Sequence, residues 1–299
     1  MTATSNYPYC WFSFAEWNPV QEQCLPFFCQ DKNLVVSASV AAGKSAIAEA
    51  IMGYELSHPN SKAVYVCPLK ALSAEKYSEW QKHETFKNFK ILVLDSDHEV
   101  SLEEIENSQL IIATVESMNI HCRRNEPWIH KIRVLVFDEA HLFDHEKRGS
   151  CSESLMMDLT ECNRDCRLVC LSGTLSNTRE IAIWCNKLNG KPTPFIVSTW
   201  RPTQLIKLVE PVNELNDQFQ FILQKIKASP YEKILIFVHS KRIGEILKKY
   251  LRDSGIHCAF YSSDLNAGQR EELLKSFRSN ATLLHVLIAT SSLSQGVSL

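Results

Sequence analysis

Short apolar runs alternate with longer amphipathic stretches along most of the chain. Uninterrupted runs of this length are typical of strands that are buried on both faces of a parallel sheet. In the first two thirds of the chain we predict such strands at Asn33–Val36, Ala63–Cys67, Ile91–Leu94, Leu110–Ala113, Val134–Phe137 and Leu168–Leu171. Helical patterns lie between several of them, at Ser45–Leu56, Ala74–Lys82 and Ser152–Leu159. This alternation predicts an α/β fold with helices on both faces of a parallel sheet.

The alternation stops at Asn189–Gln204, NGKPTPFIVSTWRPTQ, which is rich in Pro and Thr and which we interpret as a linker. A second α/β pattern follows. It predicts helices at Asp217–Lys227, Lys241–Ser254 and Ala267–Arg278, and strands at Ile234–Val238, His257–Tyr261 and Leu284–Ala289. We therefore predict a first lobe over residues 1–190, a linker over 191–204 and a smaller second lobe over 205–299.

Composition and charge exclude several classes of protein. The chain has 299 residues, of which 45% are hydrophobic and 22% charged, as in globular proteins. Its 32 Lys and Arg and 34 Asp and Glu give a formal charge of −2, which excludes a small basic module that binds nucleic acid by charge alone. No apolar run reaches the length of a membrane span, and the first ten residues contain no basic or apolar signal region. We therefore expect an intracellular protein of the cytoplasm or nucleus, without a membrane partner.

The 11 cysteines are scattered, and none form a CxxC pair. The tightest group is Cys162, Cys166 and Cys170, which leaves a metal site as one interpretation. We favour the other interpretation, in which these thiols pack as small apolar side chains, because the group crosses from a polar segment into the predicted strand Leu168–Leu171.

The segment Ala38–Ser45, ASVAAGKS, lies between a predicted strand and a predicted helix. A loop at this place presents backbone N–H groups and the positive end of the helix dipole to phosphates. Lys44 can reach the β- and γ-phosphates of a nucleotide, and the Ser45 hydroxyl suits Mg²⁺. Ala38 stands where the general GxxxxGK[ST] pattern has its first glycine. We predict a phosphate-binding loop, with an ordinary helix start as the alternative.

A second group of polar residues, Asp138-Glu139-Ala140-His141, directly follows the predicted strand Val134–Phe137. Adjacent carboxylates at the end of a buried strand are costly unless they meet cations or water. Beside a phosphate loop, Asp138 would hold Mg²⁺ and Glu139 would orient or deprotonate the attacking water. The alternative for an isolated group of this kind is a solvated strand end.

Further motifs follow in an order that resembles the superfamily 2 helicases, most closely their Ski2-like branch of exosome and archaeal DNA-repair helicases. The resemblance runs from about Phe14 to Leu299, and the sequence around the carboxylates, His141–Glu153, follows the pattern of that branch. The other matching segments are Trp17–Gln21, Pro68–Tyr77, Thr114–Ser117, Ser172–Thr174, Ser198–Leu205, Ile236–Arg242 and Ala289–Leu299.

The resemblance implies two RecA-like P-loop NTPase lobes, with ATP and Mg²⁺ as cofactors. ATP hydrolysis would be coupled to tracking along single-stranded or partly duplex DNA or RNA. It assigns catalysis to Lys44, Asp138, Glu139 and His141, and Mg²⁺ binding to Ser45 and Asp138. It assigns ATP binding to Gln21, Ala41, Ala42, Gly43, Lys44, Ser45 and Gly296, with Gln21 reading adenine. It assigns the coupling of ATP hydrolysis to lobe movement to Ser172 and Thr174. It assigns nucleic-acid contact to Pro68, Leu69, Lys70, Ala71, Thr114, Ser240 and Thr290.

Three departures from the family pattern affect these expectations. Ala41 replaces the usual inner glycine of the phosphate loop, which is tolerable only if this position does not need φ > 0. Gly173 stands where the family usually has Ala. The run Gln-x-x-Gly-Arg-x-Gly-Arg, which would supply an arginine finger, does not occur in the 299 residues, so the helicase core is expected to stop before it.

From the third departure we expect an incomplete second lobe, which further domains or a partner chain would complete. If no longer chain supplies the missing part, we expect a poorly covered sheet edge at its last strand. Two functions stay open: a nucleic-acid-dependent ATPase, and a module that binds nucleotide and nucleic acid but hydrolyses poorly. An unrelated P-loop kinase or transporter ATPase is disfavoured, because it would not explain the ordered motifs.

Overall fold

The computed structural model describes residues 16–68, 70–146, 148–212, 214–229, 232–262, 264–279 and 284–290. They form two compact units, one within residues 1–204 and the other within 205–299. Among these residues, no helix is both long and apolar enough to span a bilayer.

The first unit is built on a seven-stranded sheet in which every strand pair is parallel. Its strands are β1 (Leu34–Ala38), β2 (Lys62–Cys67), β3 (Ile91–Leu94), β4 (Leu110–Thr114), β5 (Ile132–Phe137), β6 (Arg167–Ser172) and β7 (Phe195–Ser198). Their order across the sheet is β3-β4-β2-β5-β6-β1-β7. The first six strands overlap the apolar runs of the sequence, so the predicted parallel α/β fold is confirmed.

Helices cover both faces of this sheet. They are α1 (Pro19–Cys24), α2 (Lys44–Leu56), α3 (Lys70–Trp80), α4 (Leu102–Glu106), α5 (Val115–Arg123), α6 (Gly149–Cys162) and α7 (Thr178–Asn189), with short 3₁₀ turns at Leu25–Phe27, Pro127–Lys131 and Ala140–Asp144. Alternate strand residues point to opposite faces and divide the core in two. One part packs against α1, α2 and α3, and the other against α4, α5, α6 and α7.

Polar side chains fix where several helices begin. Asn18 caps α1 and Ser101 caps α4, each in a capping box with the residue three positions later. Thr114 caps α5 by accepting a hydrogen bond from Ser117 N. These caps satisfy backbone N–H groups that the first turn of a helix leaves without partners.

The segment interpreted as a linker, Asn189–Gln204, contains β7, so that interpretation is wrong for its central part. β7 pairs with β1, in register from Val35 opposite Phe195 to Ala38 opposite Ser198. It is an edge strand of only four residues, with Ile196 buried and its neighbours more exposed. Its Pro- and Thr-rich flanks concealed a strand that only the pairing with β1 stabilises.

The second unit contains helices α8 (Leu215–Ala228), α9 (Lys241–Asp253) and α10 (Ala267–Arg278) and strands β8 (Ile234–Phe237), β9 (Cys258–Tyr261) and β10 (Val286–Ala289). The strands are parallel, in the order β8-β10-β9. Helices α8 and α9 pack on one face and α10 on the other.

The last described strand is the central one, so the expectation of a sheet edge there is wrong. The edges of the described sheet are β8 and β9, and Phe237 on β8 is half exposed. The reason is topological: crossover connections between parallel strands return β10 to the position between its two predecessors.

Candidate functional site

The predicted phosphate loop lies between β1, which ends at Ala38, and α2, which begins at Lys44. Gly43 caps the helix in the left-handed region, with φ 74°. The Lys44 ammonium turns back over the loop and donates to the carbonyl oxygens of Ala38 (2.9 Å) and Ser39 (3.0 Å). The first N–H groups of a 13-residue helix therefore face the loop, an arrangement that suits phosphate.

Ala41 does not meet the condition under which an alanine would be harmless in this loop. Its φ is 64°, in the left-handed region, and its side chain is exposed. A Cβ in this conformation costs about 1–2 kcal/mol, which a glycine would avoid. The loop therefore has a glycine-type backbone at Ala41 and carries strain there.

The start of α1 holds the loop from one side. Asn18 donates through Nδ2 to the Ala42 carbonyl (3.1 Å), and Gln21 donates through Nε2 to the Gly43 carbonyl (3.4 Å). Gln21 Oε1 accepts from the backbone N–H of Asn18 (3.1 Å). A Cβ on Gly43 would lie 2.4 Å from Gln21 Nε2, so the Gln21 amide would have to move, and the φ of 74° itself favours glycine. Gln21 thus contacts the phosphate loop, and its reading of adenine stays a prediction.

The carboxylate pair follows β5 and faces the same loop. Asp138 is half-buried, and its Oδ1 accepts from the backbone N–H of Glu139 (3.0 Å) while its Oδ2 accepts from the Tyr65 hydroxyl (2.6 Å). Loss of water raises the pKa of Asp138, and the Glu139 carboxylate raises it further. Burial lowers the pKa of Lys44, against the opposing effect of both carboxylates. Lys44, Asp138 and Glu139 therefore share one electrostatic environment.

Glu139 has φ 55° and precedes the turn Ala140–Asp144. Its Oε2 lies 3.2 Å from His141 Nδ1, and the hydrogen bond to Glu139 is the main cause that raises the pKa of His141. His141 Nδ1 also lies 3.4 Å from Ser172 Oγ, which accepts from the backbone N–H of Thr174 (3.2 Å). The structure therefore connects the carboxylates to the predicted coupling residues through His141.

Gly173 places this coupling segment directly beside the phosphate loop. A Cβ added there would lie 3.7 Å from Val40 Cγ2 and 4.0 Å from Lys44 Nζ, both ordinary van der Waals distances. The space would accept the alanine that the resemblance expects at this position.

The predicted nucleic-acid contacts of the first unit lie at the ends of neighbouring strands. Cys67, the last residue of β2, pairs with Thr114, the last residue of β4. Pro68 accepts through its carbonyl from Arg148 Nη1 (2.9 Å), and Lys70 is exposed and paired with Asp97. Leu69 lies outside the described residues, and of Ala71 only the backbone in α3 is described. Pro68 and Thr114 are buried, whereas the Lys70 side chain is exposed.

In the second unit, Ser240 and Thr290 lie at the ends of the paired strands β8 and β10. Ser240 Oγ caps α9 by accepting from Ile243 N (3.3 Å), and Thr290 N donates to the Tyr261 carbonyl (3.4 Å). Gly296, and Gln295 beside it, lie outside the described residues.

The three cysteines considered for a metal site face different neighbours. Cys162 Sγ donates to the carbonyl of Cys122 (3.5 Å), and Cys170 Sγ lies 3.9 Å from Cys185 Sγ. Over the part of the chain that the structure describes, no three His, Cys, Asp or Glu side chains are grouped to hold a metal ion.

Sequence reasoning assigned no role to Tyr65, Asn18 and Arg148, which all contact the site. A signal existed for two of them. A tyrosine in an apolar strand requires a partner for its hydroxyl, and Asn18 and Gln21 have the spacing of a capping box. Nothing local indicated that Arg148 would reach the Pro68 carbonyl, because 80 residues separate them.

Two family models match the chain. The model described as DEAD/DEAH box helicase matches residues 18–181, more than half of the chain, and that described as helicase conserved C-terminal domain matches residues 217–299. The first range includes all the site residues of the first unit.

Curated relatives include the ATP-dependent DNA helicase Hel308 of Methanocaldococcus jannaschii, 32% identical over 227 residues that cover 73% of this chain and 18% of the relative. Hel308 of Pyrococcus horikoshii is 27% identical over 329 residues, covering 95% of this chain and 44% of the relative. The pre-mRNA-splicing factor brr2 of Schizosaccharomyces pombe is 28% identical over 263 residues, covering 80% and 12%. The chain spans less than half the length of these relatives.

Solved structures share the fold. Dbp5 of S. cerevisiae bound to RNA and ADP BeF3 matches with a TM-score of 0.72 at 19% identity, over 95% of this chain and 72% of that chain. The Mycobacterium smegmatis helicase Lhr bound to ssDNA and AMP-PNP matches with a TM-score of 0.71 at 20% identity, over 95% and 41%.

Proposed function

The chain belongs to the DEAD/DEAH box helicase family, as its motifs indicated, and we propose that it is an ATP-hydrolysing helicase core that tracks along single-stranded nucleic acid. One observation carries the proposal. The phosphate loop, the two carboxylates and the segment Ser172–Thr174 meet in the first unit, linked through Lys44 and His141. A nucleotide-binding module without catalysis would not need the carboxylate, histidine and serine to be connected.

The donor set of the first unit fits ATP and Mg²⁺. The Ser45 hydroxyl at the start of α2 and the Asp138 carboxylate are oxygen ligands of the kind that Mg²⁺ prefers. Bound there, Mg²⁺ would neutralise charge that develops on the phosphates. Loop N–H groups and Lys44 would bind the phosphates of ATP, once Lys44 leaves the carbonyls of Ala38 and Ser39.

In this proposal Glu139 accepts a proton from the attacking water. Its carboxylate touches His141, which orients it and links it to Ser172. In this proposal loss of the γ-phosphate alters the contacts of Ser172 and Thr174 through His141. Gln21, Ala41, Ala42 and Gly43 would shape the nucleotide site in the first unit. The family resemblance also assigns ATP binding to Gly296, which lies outside the described residues.

Nucleic acid would be gripped mainly through its backbone. The groups proposed for this contact, Pro68–Ala71 and Thr114 in the first unit and Ser240 and Thr290 in the second, are carbonyls, N–H groups, hydroxyls and one lysine, which carry no base code. Solved structures with this fold are bound to RNA in one case and to single-stranded DNA in another, so experiment must decide which polymer this chain binds. A compartment that holds ATP and nucleic acid, the cytoplasm or the nucleus, follows from this function.

The test is steady-state ATP hydrolysis by the 299-residue chain, alone and with saturating single-stranded DNA or RNA. We expect one polymer to stimulate turnover and Lys44→Ala to abolish it. Lys82→Ala, which removes an exposed lysine from the same unit, is the matched control and should leave turnover unchanged. ATP binding without stimulated turnover would contradict the proposal and identify the chain as a binding module that hydrolyses poorly.

A further inference from the structure

Tyr65 is the one tyrosine of the apolar strand β2, and its side chain is fully buried. It points to the face of the sheet that packs against α2 and α3. Its hydroxyl donates to Asp138 Oδ2 over 2.6 Å, while Asp138 Oδ1 accepts from Glu139 N over 3.0 Å. Each oxygen of the carboxylate therefore has one fixed donor, and the plane of the carboxylate is set by two strands at once.

The Tyr65 ring is itself held in place. Its ring packs edge-to-face with Trp80, with centroids 4.8 Å apart and an interplanar angle of 85°. Trp80 Nε1 donates to Glu49 Oε1 over 2.8 Å, and His83 Nε2 lies 3.6 Å from Glu49 Oε2. Glu49 is on α2, the helix that begins at the phosphate loop. Buried contacts thus connect Asp138 to the helix that carries Lys44 and Ser45.

We propose that Tyr65 is a positioning residue for Mg²⁺ binding, because its hydroxyl fixes the orientation of the Asp138 carboxylate relative to the start of α2. A hydrogen bond to a carboxylate is stronger than a neutral one, and a phenol can donate only once. With Oδ2 held by Tyr65, the remaining lone pairs of Asp138 face a fixed direction and need no reorganisation when the metal binds. Residues that hydrogen-bond to a metal ligand without touching the metal typically contribute 10–100-fold to metal affinity. The inference rests on the proposed ATP and Mg²⁺ site.

A purely structural role for Tyr65 makes a different prediction. If the ring only fills the core, removal of the hydroxyl lowers thermal stability but leaves nucleotide and metal binding unchanged. Tyr65→Phe separates the two roles because it keeps the ring against Trp80 and removes one donor.

The experiment measures binding of a fluorescent ATP analogue, first in EDTA and then as Mg²⁺ is added. For Tyr65→Phe we expect the half-saturating Mg²⁺ concentration to rise about tenfold, with affinity in EDTA within twofold of wild type. In an Asp138→Asn background the same substitution should have no further effect on the Mg²⁺ curve. Tyr54→Phe, which removes a hydroxyl near the other end of α2, is the matched control and should follow wild type.

A wild-type Mg²⁺ curve for a folded Tyr65→Phe overturns the inference and leaves the proposed function standing. Absence of nucleotide binding by the wild-type chain, in EDTA and in Mg²⁺, overturns the proposed function and this inference with it. Should Tyr65→Phe not fold, Trp80→Phe is measured, because it loosens the Tyr65 ring by removing the bond to Glu49. We then expect a two- to threefold rise in half-saturating Mg²⁺, and no change there also overturns the inference.

Discussion

Two non-glycine residues of the site have a left-handed backbone. Ala41 in the phosphate loop has φ 64° and Glu139 after β5 has φ 55°. Such conformations cost about 1–3 kcal/mol each and persist where the surrounding structure enforces them. Here the enforcing contacts are the bonds of Asn18 and Gln21 to the loop and the bond of Glu139 N to Asp138.

At the residue scale, Ala41→Gly should stabilise the protein. Glycine adopts φ > 0 without strain, and this gain exceeds the cost of glycine's greater freedom in the unfolded chain. We therefore expect the free energy of unfolding to rise by about 0.5–1 kcal/mol. The measurement is urea denaturation followed by circular dichroism.

Ala50→Gly is the control for this prediction, since it makes the same chemical change in the right-handed interior of α2. It should lower the free energy of unfolding by about 1–2 kcal/mol, because a helix interior disfavours glycine and the methyl group of Ala50 is fully buried. If both substitutions lower the free energy by similar amounts, the positive φ of Ala41 carries no strain.

At the scale of elements, Arg167 on β6 ties the segment after α1 to the sheet. Its guanidinium is fully buried and donates to the carbonyls of Phe27 (2.6 Å), Phe28 (3.0 Å) and Lys32 (2.5 Å). It also lies 3.4 Å from Glu55, at the end of α2. One side chain thus donates to three carbonyls of the segment that follows α1, and α1 in turn holds the phosphate loop.

Arg167→Met should destabilise the first unit by about 3–5 kcal/mol, because it removes a buried donor from three carbonyls and leaves the buried Glu55 with the partly exposed Arg133 as its remaining cation. Arg133→Met removes the other cation of Glu55, at 2.9 Å, from a side chain that is 43% exposed. We expect this control to cost less, about 1 kcal/mol, because water screens the partly exposed Arg133 and the buried Glu55 keeps Arg167. Equal losses for the two variants in thermal denaturation would contradict the assignment.

At the scale of the whole molecule, the chain divides near residue 204 and not at residue 190. The described site residues of the first unit precede Gln204, and β7 lies between the two positions. Without β7, the edge of β1 loses its partner and α1 loses a surface on which it packs.

A chain of residues 1–204 should therefore fold cooperatively, whereas one of residues 1–190 should be less stable. Ile196 alone contributes roughly 1.5–3 kcal/mol by burial, before the pairing of β7 is counted. Urea denaturation of the two chains compares them directly. Equal free energies of unfolding would show that β7 adds nothing and that 191–204 behaves as the linker first interpreted.

The sequence by itself determined the fold class and the positions of most strands, and it named the candidate residues of the site. Those features are local: an apolar run of four to six residues is buried wherever it lies, and the spacing of Gly43, Lys44 and Ser45 indicates a phosphate loop before any folding. The order of the motifs then indicated the family.

Only the tertiary structure decided the partners of these residues. β7 has a weak local pattern and exists because β1 offers it a hydrogen-bonding edge. Tyr65 contacts Asp138, which lies 73 residues further along the sequence. Ala41 has a positive φ because the elements on either side of the loop fix its path. Contacts between distant segments depend on how strands are ordered in the sheet, and no local pattern of hydrophobic and polar residues encodes that order.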